Sequence, residues 1–330
     1  MHGHESGWPR WNRAGAVKAT VDRTLKPELR DSSRLREDAV PHAISMRYLL
    51  LVCAGLSGAA GLIYEIVWSR QLLLAYGSTT YSTAAVLAGF IGGLALGALL
   101  VARLHRRIRR PLTVYMGIEV LVALYGAVSL ALIGQLSSLG GDVDLDRGMA
   151  GLMLEPLLVG GMAMILPTVA MGAALPVLLL EMDRRGQDAL GFAGWIYGAN
   201  TFGAAVGAAS AGFVLLPLVG MTGTLTVAVG LGLAAAAIAW SAAKSPSLET
   251  VATGESSTRQ AKFGRFPRAL ALAVFLAGIA GLGYEVVWTR ILVLVIGSST
   301  YAFALILTVF IFGVAFGSCW GSHRRTRLRA

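Results

Sequence analysis

The sequence predicts an all-α polytopic membrane protein of about eight transmembrane helices, six forming one half and two opening a second. Three observations carry this. The chain has 330 residues, of which 55% are hydrophobic and 14% charged, whereas soluble domains carry roughly 25% charged residues. The charges gather in short blocks between apolar runs of about twenty residues, the length that crosses a ~30 Å hydrocarbon core as a helix. Two stretches, GLIYEIVWSR at 61–70 and GLGYEVVWTR at 281–290, are nearly the same text.

Residues 1–45 are polar, mixed in charge and interrupted by Pro9, Pro27 and Pro41. They lack the apolar centre of a secretory signal and read as a disordered cytoplasmic tail. Met46 stands directly before the first span and is a candidate natural start. The first membrane half covers 46–243, with spans near 47–68, 79–102, 112–134, 152–181, 189–215 and 221–243. Residues 244–266, rich in Ser, Thr and charge, read as a cytoplasmic linker. The last segment, 267–330, holds spans near 267–288 and 299–321 and is expected to be the truncated start of a second half.

Loop charge fixes the orientation. One side carries RLHRRIRRP (103–111), EMDRRGQD (181–188), the linker and HRRTRLR (323–329). The other carries AYGSTT, GQLSSLGGDVDLDRG and LPLVGMTG, with Arg147 as its one arginine. Lys and Arg gather on the cytoplasmic side, so both termini are expected inside, at a bacterial inner membrane. This also accounts for the net charge of +10 without nucleic acid as a partner. Cys53 and Cys319 fall in apolar runs, and no metal-ligand spacing exists.

The repeat extends beyond the two quoted stretches. Positions 58–81 match 278–301 at fifteen of twenty-four places. Tyr64, Glu65, Trp68 and Arg70 recur as Tyr284, Glu285, Trp288 and Arg290. The next span repeats a glycine face: Gly89, Gly93 and Gly97, then Gly313, Gly317 and Gly321. Glycines four apart line one helix face and admit a close neighbour. Span seven therefore restarts span one in the same orientation. A parallel repeat of this kind is the plan of major facilitator transporters.

The motifs PTVAMGAALPVLL (167–179), IYGANTFGAAVGAASAGFVLLPLVGMTGT (196–224) and the doubled YE[IV]VW[ST]R…GS[ST]TY resemble bacterial fused major facilitator/spermidine-synthase-like proteins. The resemblance covers about 47–322. It implies a soluble, Rossmann-like aminopropyltransferase domain after the membrane region, using decarboxylated S-adenosylmethionine as cofactor and putrescine as acceptor. That domain is expected to be missing here, so no catalytic residue is carried over. The one loose Gly-rich candidate, LGGDVDLD at 139–146, follows no apolar strand and reads as an acidic loop.

The candidate site is the charge cluster Glu65, Arg70, Glu285 and Arg290. Charges in a span are costly and are usually paired or functional. If spans one and seven face one another, Glu65 pairs with Arg290 and Glu285 with Arg70, or the two carboxylates hold a cation such as a polyamine, or the arginines anchor at the interface. Asn200, Tyr64 and Tyr284 are candidate cavity groups. Glu119 is expected to pair with the Arg103–Arg110 cluster, and Pro167 and Pro176 to kink span four. Three functions stay open: a non-catalytic membrane module of a spermidine-synthase-like protein, a facilitator-like carrier of a small cationic solute, or a membrane scaffold for a partner enzyme. The expected partners are the lipid bilayer, a polyamine, and a separate aminopropyltransferase domain or second chain.

Overall fold

The structure is a computed structural model that describes residues 46–75, 80–139, 161–185, 189–244 and 268–327. Expectations for the tail 1–45, for 140–160 and for the linker beyond Lys244 lie outside the described residues. The chain divides into a unit ending at Tyr48 and a compact unit Leu49–Ala330.

All regular structure among the described residues is helical. Helix α1 is Met46–Ala75. It is followed by α2 (Thr80–Leu104), α3 (Pro111–Leu139), α4 (Gly161–Arg184), α5 (Ala189–Ser210), α6 (Leu216–Lys244), α7 (Arg268–Ile296) and α8 (Ser299–Arg327). Several helices outrun the sequence-based spans: α3 continues past residue 134 and α8 past residue 321. Among the described residues, seven continuous helical stretches are long and apolar enough to cross a membrane.

The longest stretch, Phe192–Lys244, has 53 residues, or about 80 Å at 1.5 Å per residue. A single crossing cannot hold it. Gly203 lies against Gly55 of α1, and the carbonyl of Ala235 accepts from Cys53 of the same helix. Residues 203 and 235 are therefore at nearly one level, and the chain must turn back between them. It does so at Gly220, whose φ of 66° and ψ of −172° break the helix. Glycine reaches this region without a Cβ clash. The expected loop LPLVGMTG is thus a one-residue break between otherwise helical turns, preceded by a π-helical turn over Ala211–Leu215. Counting α5 and α6 separately gives eight membrane-length helices among the described residues.

Without a hydrophobic drive between helices in lipid, association rests on close contact and internal hydrogen bonds. Helix α1 lies beside α5 in parallel: a Cβ on Gly203 would meet the Gly55 carbonyl oxygen at 2.0 Å, and one on Gly207 the Ala59 oxygen at 2.3 Å. Helix α2 packs on α4 the same way. A Cβ on Gly93 would meet Thr168 Oγ1 at 1.9 Å, and one on Gly97 the Val169 oxygen at 2.0 Å. Helix α3 packs on α4 and α6, α5 on α8, and α7 on α8. At one end, Arg184 closing α4 donates to the Arg109 carbonyl at 2.8 Å, joining α4 to the basic turn that follows α2.

Both prolines lie inside α4, which stays helical through them. Pro167 cannot donate to the carbonyl four residues back, that of Ala163. The hydroxyl of Tyr125 on α3 donates to that oxygen instead. The carbonyl left free by Pro167 is therefore an interhelical tie.

The glycine contacts differ in a testable way. Gly203→Ala should force α1 and α5 apart and destabilise the bundle by ~1–3 kcal/mol. Gly230→Ala, where a Cβ meets nothing within 4 Å, should stay within about 0.5 kcal/mol of the parent. Thermal unfolding of both variants in matched detergent checks the pair.

Candidate functional site

Four helices meet beside the repeated carboxylates. Ser69 and Leu73 of α1, Val86 of α2, Thr289, Arg290 and Val293 of α7, and Ser299 and Phe303 of α8 line a small cavity of about 10 Å³. Ser69 and Thr289 are repeat equivalents, as are Leu73 and Val293. The two copies of the repeat thus meet at equivalent positions. One turn back along each helix stand Glu65 and Glu285. Both are buried, each one turn from the cavity where the two copies meet.

The arginines do not pair with these glutamates. Among the described residues no ion pair joins Arg70 or Arg290 to either carboxylate, and Arg290 lines the cavity instead. Helix geometry gives the reason. Five residues turn a side chain by about 140° and raise it ~7.5 Å, so each arginine points to a different face, further along the helix. Glu285 lines a second space, an open groove of about 360 Å³ between α7 and α8, together with Gly281, Tyr284, Trp288 and Leu292 of α7 and apolar residues of α8. Glu285 Oε1 is buried without a hydrogen-bond partner.

The repeated tyrosines part company. Tyr64 is 0% exposed and Tyr284 66%; Trp68 is 0% exposed and Trp288 53%. Helix α3 makes the difference. A Cβ on Gly126 would lie 2.3 Å from the Tyr64 ring, so only glycine admits that ring. Tyr64 stacks on Trp68 at 5.0 Å, and Tyr125 meets Trp68 edge-on at 5.4 Å. The Trp68 indole N–H donates to Ser129 at 2.9 Å, and Gln71 donates to the Leu130 carbonyl at 2.7 Å. Tyr64 therefore belongs to the α1–α3 seam and lines neither space, correcting its expected place in a cavity. Tyr284 does line the open groove.

Glu119 is not paired with the Arg103–Arg110 cluster. It is buried on α3 beside Ser57 of α1 and Tyr115, whose hydroxyl donates to the Cys53 carbonyl at 3.1 Å, with Gly232 of α6 alongside. The arginines lie beyond the start of α3, whereas Glu119 is two turns inside it and faces α1 and α6. Asn200, half-buried on α5, presents its main-chain carbonyl to Gly58 of α1; the helix contact is through backbone. Thr201 bonds back to the Tyr197 carbonyl at 2.7 Å. Gly89, Gly93 and Gly97 meet α4, whereas a Cβ on Gly313 or Gly317 would meet nothing within 4 Å. The surroundings of Gly321 lie outside the described residues.

Sequence reasoning passed over Ser57, Tyr115, Tyr125, Gly126 and Ser129. Their signal was polar or small side chains inside an apolar span, where each needs a partner. Ser69 and Thr289 were visible as an aligned hydroxyl pair.

Trp68→Phe should cost ~1–2 kcal/mol, since it removes an indole N–H and leaves Ser129 without that bond. Trp288→Phe, on the open face, should change stability by less than about 0.5 kcal/mol. Parallel melts of the two variants test this asymmetry.

Three curated relatives place the sequence among known proteins. It is 29% identical over 180 residues to a polyamine aminopropyltransferase of Corynebacterium efficiens, covering 53% of this chain and 31% of that one. It is 26% identical over 211 residues to a polyamine aminopropyltransferase of Mycobacterium tuberculosis, covering 63% and 38%. It is 26% identical over 190 residues to polyamine aminopropyltransferase 1 of Streptomyces coelicolor, covering 57% and 33%. The match thus spans about a third of the length of these relatives. No protein-family model matches the chain, and no solved structure matches it.

Proposed function

We propose that the chain is the membrane-embedded module of a polyamine aminopropyltransferase-related protein, and that its α1–α7 contact binds a cationic polyamine. The relatives' names supply the substrate class, and the carboxylate pair supplies the chemistry. One observation carries the reading: Glu65 and Glu285, equivalent residues of the repeat, are buried one turn from the cavity that the two copies line together and, among the described residues, take no ion pair from Arg70 or Arg290. Two carboxylates in a low-dielectric setting repel, and a ligand with two ammonium groups would give each a counter-charge. The hydroxyls of Ser69 and Thr289, one turn on, are suited to accept from ammonium N–H groups.

The cavity beside the pair, about 10 Å³, has room for about one water. Binding therefore requires α7 to move away from α1. Helix α7 is suited to do so, with only 6% of its apolar window buried. In this reading the transferase chemistry, with decarboxylated S-adenosylmethionine, belongs to a soluble domain or partner chain, and this chain is non-catalytic. The module sits in the bacterial inner membrane with its arginine-rich loops in the cytoplasm. A facilitator-like carrier of a polyamine is the second reading. It is favoured by the meeting of equivalent residues of a parallel repeat at one cavity, the arrangement from which alternating-access carriers are built.

Spermidine binding to purified protein in nanodiscs tests the proposal. The parent should bind, and Glu65→Gln with Glu285→Gln should weaken binding by about a hundredfold or more, as for loss of two buried charge contacts. Helix content and melting temperature report folding of the double variant. Absent binding by the parent, or undiminished binding by the folded double variant, refutes the site. Uptake of labelled spermidine into proteoliposomes by this chain would select the carrier reading.

A further inference from the structure

The two copies of the repeat are covered unequally. On the first copy, α3 closes over Tyr64 and Trp68, and α4 closes over Gly93 and Gly97. On the second, Tyr284 and Trp288 are exposed, and Gly313 and Gly317, equivalent to Gly93 and Gly97, face open space. An open groove of about 360 Å³ lies between α7 and α8.

We propose that this face is a docking surface for a partner hairpin of two membrane-spanning helices built like α3 and α4. The first helix would offer a small residue to Tyr284 and, three residues on, a hydroxyl to the Trp288 indole N–H, as Gly126 and Ser129 do for Tyr64 and Trp68. The second would bring a small side chain to Gly313 and its backbone to Gly317, as Thr168 of α4 does for Gly93 and Val169 and Ala173 do for Gly97. The repeat itself says what covers such a face, because the same aromatic and glycine positions are covered that way in the first copy.

Two other occupants fit less well. Lipid tails would leave the carboxylate of Glu285, which lines the groove with Oε1 lacking a hydrogen-bond partner, against hydrocarbon, where a charged group is costly. A second copy of the chain cannot lend its own α3 and α4, which are already engaged by α1 and α2.

The test uses the full chain in nanodiscs, with Cys53→Ala and Cys319→Ala as background. Single apolar helices form independently in a bilayer, since their backbone bonds are internal, so synthetic helices serve as probes. A peptide of residues 111–139 carrying Gly126→Cys is added to the Tyr284→Cys chain. A peptide of residues 161–184 carrying Thr168→Cys is added to the Gly313→Cys chain. Tyr64→Cys with Gly126→Cys inside one chain is the positive control for oxidation. Each probe should form a chain–peptide disulfide roughly tenfold better than a shuffled apolar peptide with the same cysteine, a ratio equivalent to ~1.4 kcal/mol. Equal yields with the shuffled peptide would show a merely lipid-facing surface and overturn the proposal. Chain-to-chain disulfides through Tyr284→Cys that outcompete the probe would overturn it in favour of a copy-to-copy interface. Leu292→Cys, two turns along the same groove, repeats the test if Tyr284→Cys fails to fold.

Discussion

The helices are long and apolar enough to cross a bilayer, where no water would drive them together or satisfy polar groups left open, and their contacts answer that constraint. Helices hold one another by approaching until backbones touch and by closing polar groups inside the protein, with Tyr64 Oη and Glu285 Oε1 among the exceptions. The first requirement explains Gly203 against Gly55 and Gly97 against Val169, positions where a Cβ would overlap main-chain atoms. The second explains why Tyr125 reaches the carbonyl that Pro167 leaves free, and why the Trp68 indole finds Ser129. A proline that would be a defect in isolation becomes a contact between α3 and α4.

Helix α1 is the hub on which these contacts converge. One face carries Ser57, Tyr64 and Trp68 to α3; another carries Gly55, Gly58 and Ala59 to α5; Cys53 reaches α6; and the face bearing Ser69 and Leu73 turns to α7. The same helix thus builds the first half and meets the second. That placement brings Glu65 near Glu285. Neither arginine of the repeat answers them, because a five-residue spacing sends glutamate and arginine to different faces. Two buried carboxyl groups without a basic partner among the described residues are the feature with most chemical meaning here.

The second copy of the repeat shows how little sequence identity says about environment. Tyr64 and Tyr284 are the same residue in the same ten-residue motif, yet one is enclosed and the other open. The motif specifies a helix face that asks for a particular neighbour. Only where that neighbour is present, as α3 is for α1, does the face become a core.

Length, hydropathy and loop charge already determined a bundle of membrane-length helices, because a helix must be apolar over the thickness it crosses and those signals are local. The repeat was legible too, since its polar and aromatic matches lie in otherwise low-complexity apolar text. The turn at Gly220, the role of Pro167, the enclosure of Glu119 by Ser57 and Tyr115, and the failure of Glu65 and Arg290 to pair were not legible. Each depends on which faces of different helices meet. In lipid that choice is made by contacts between residues far apart in sequence, down to a single absent Cβ, and no periodicity along one helix records it.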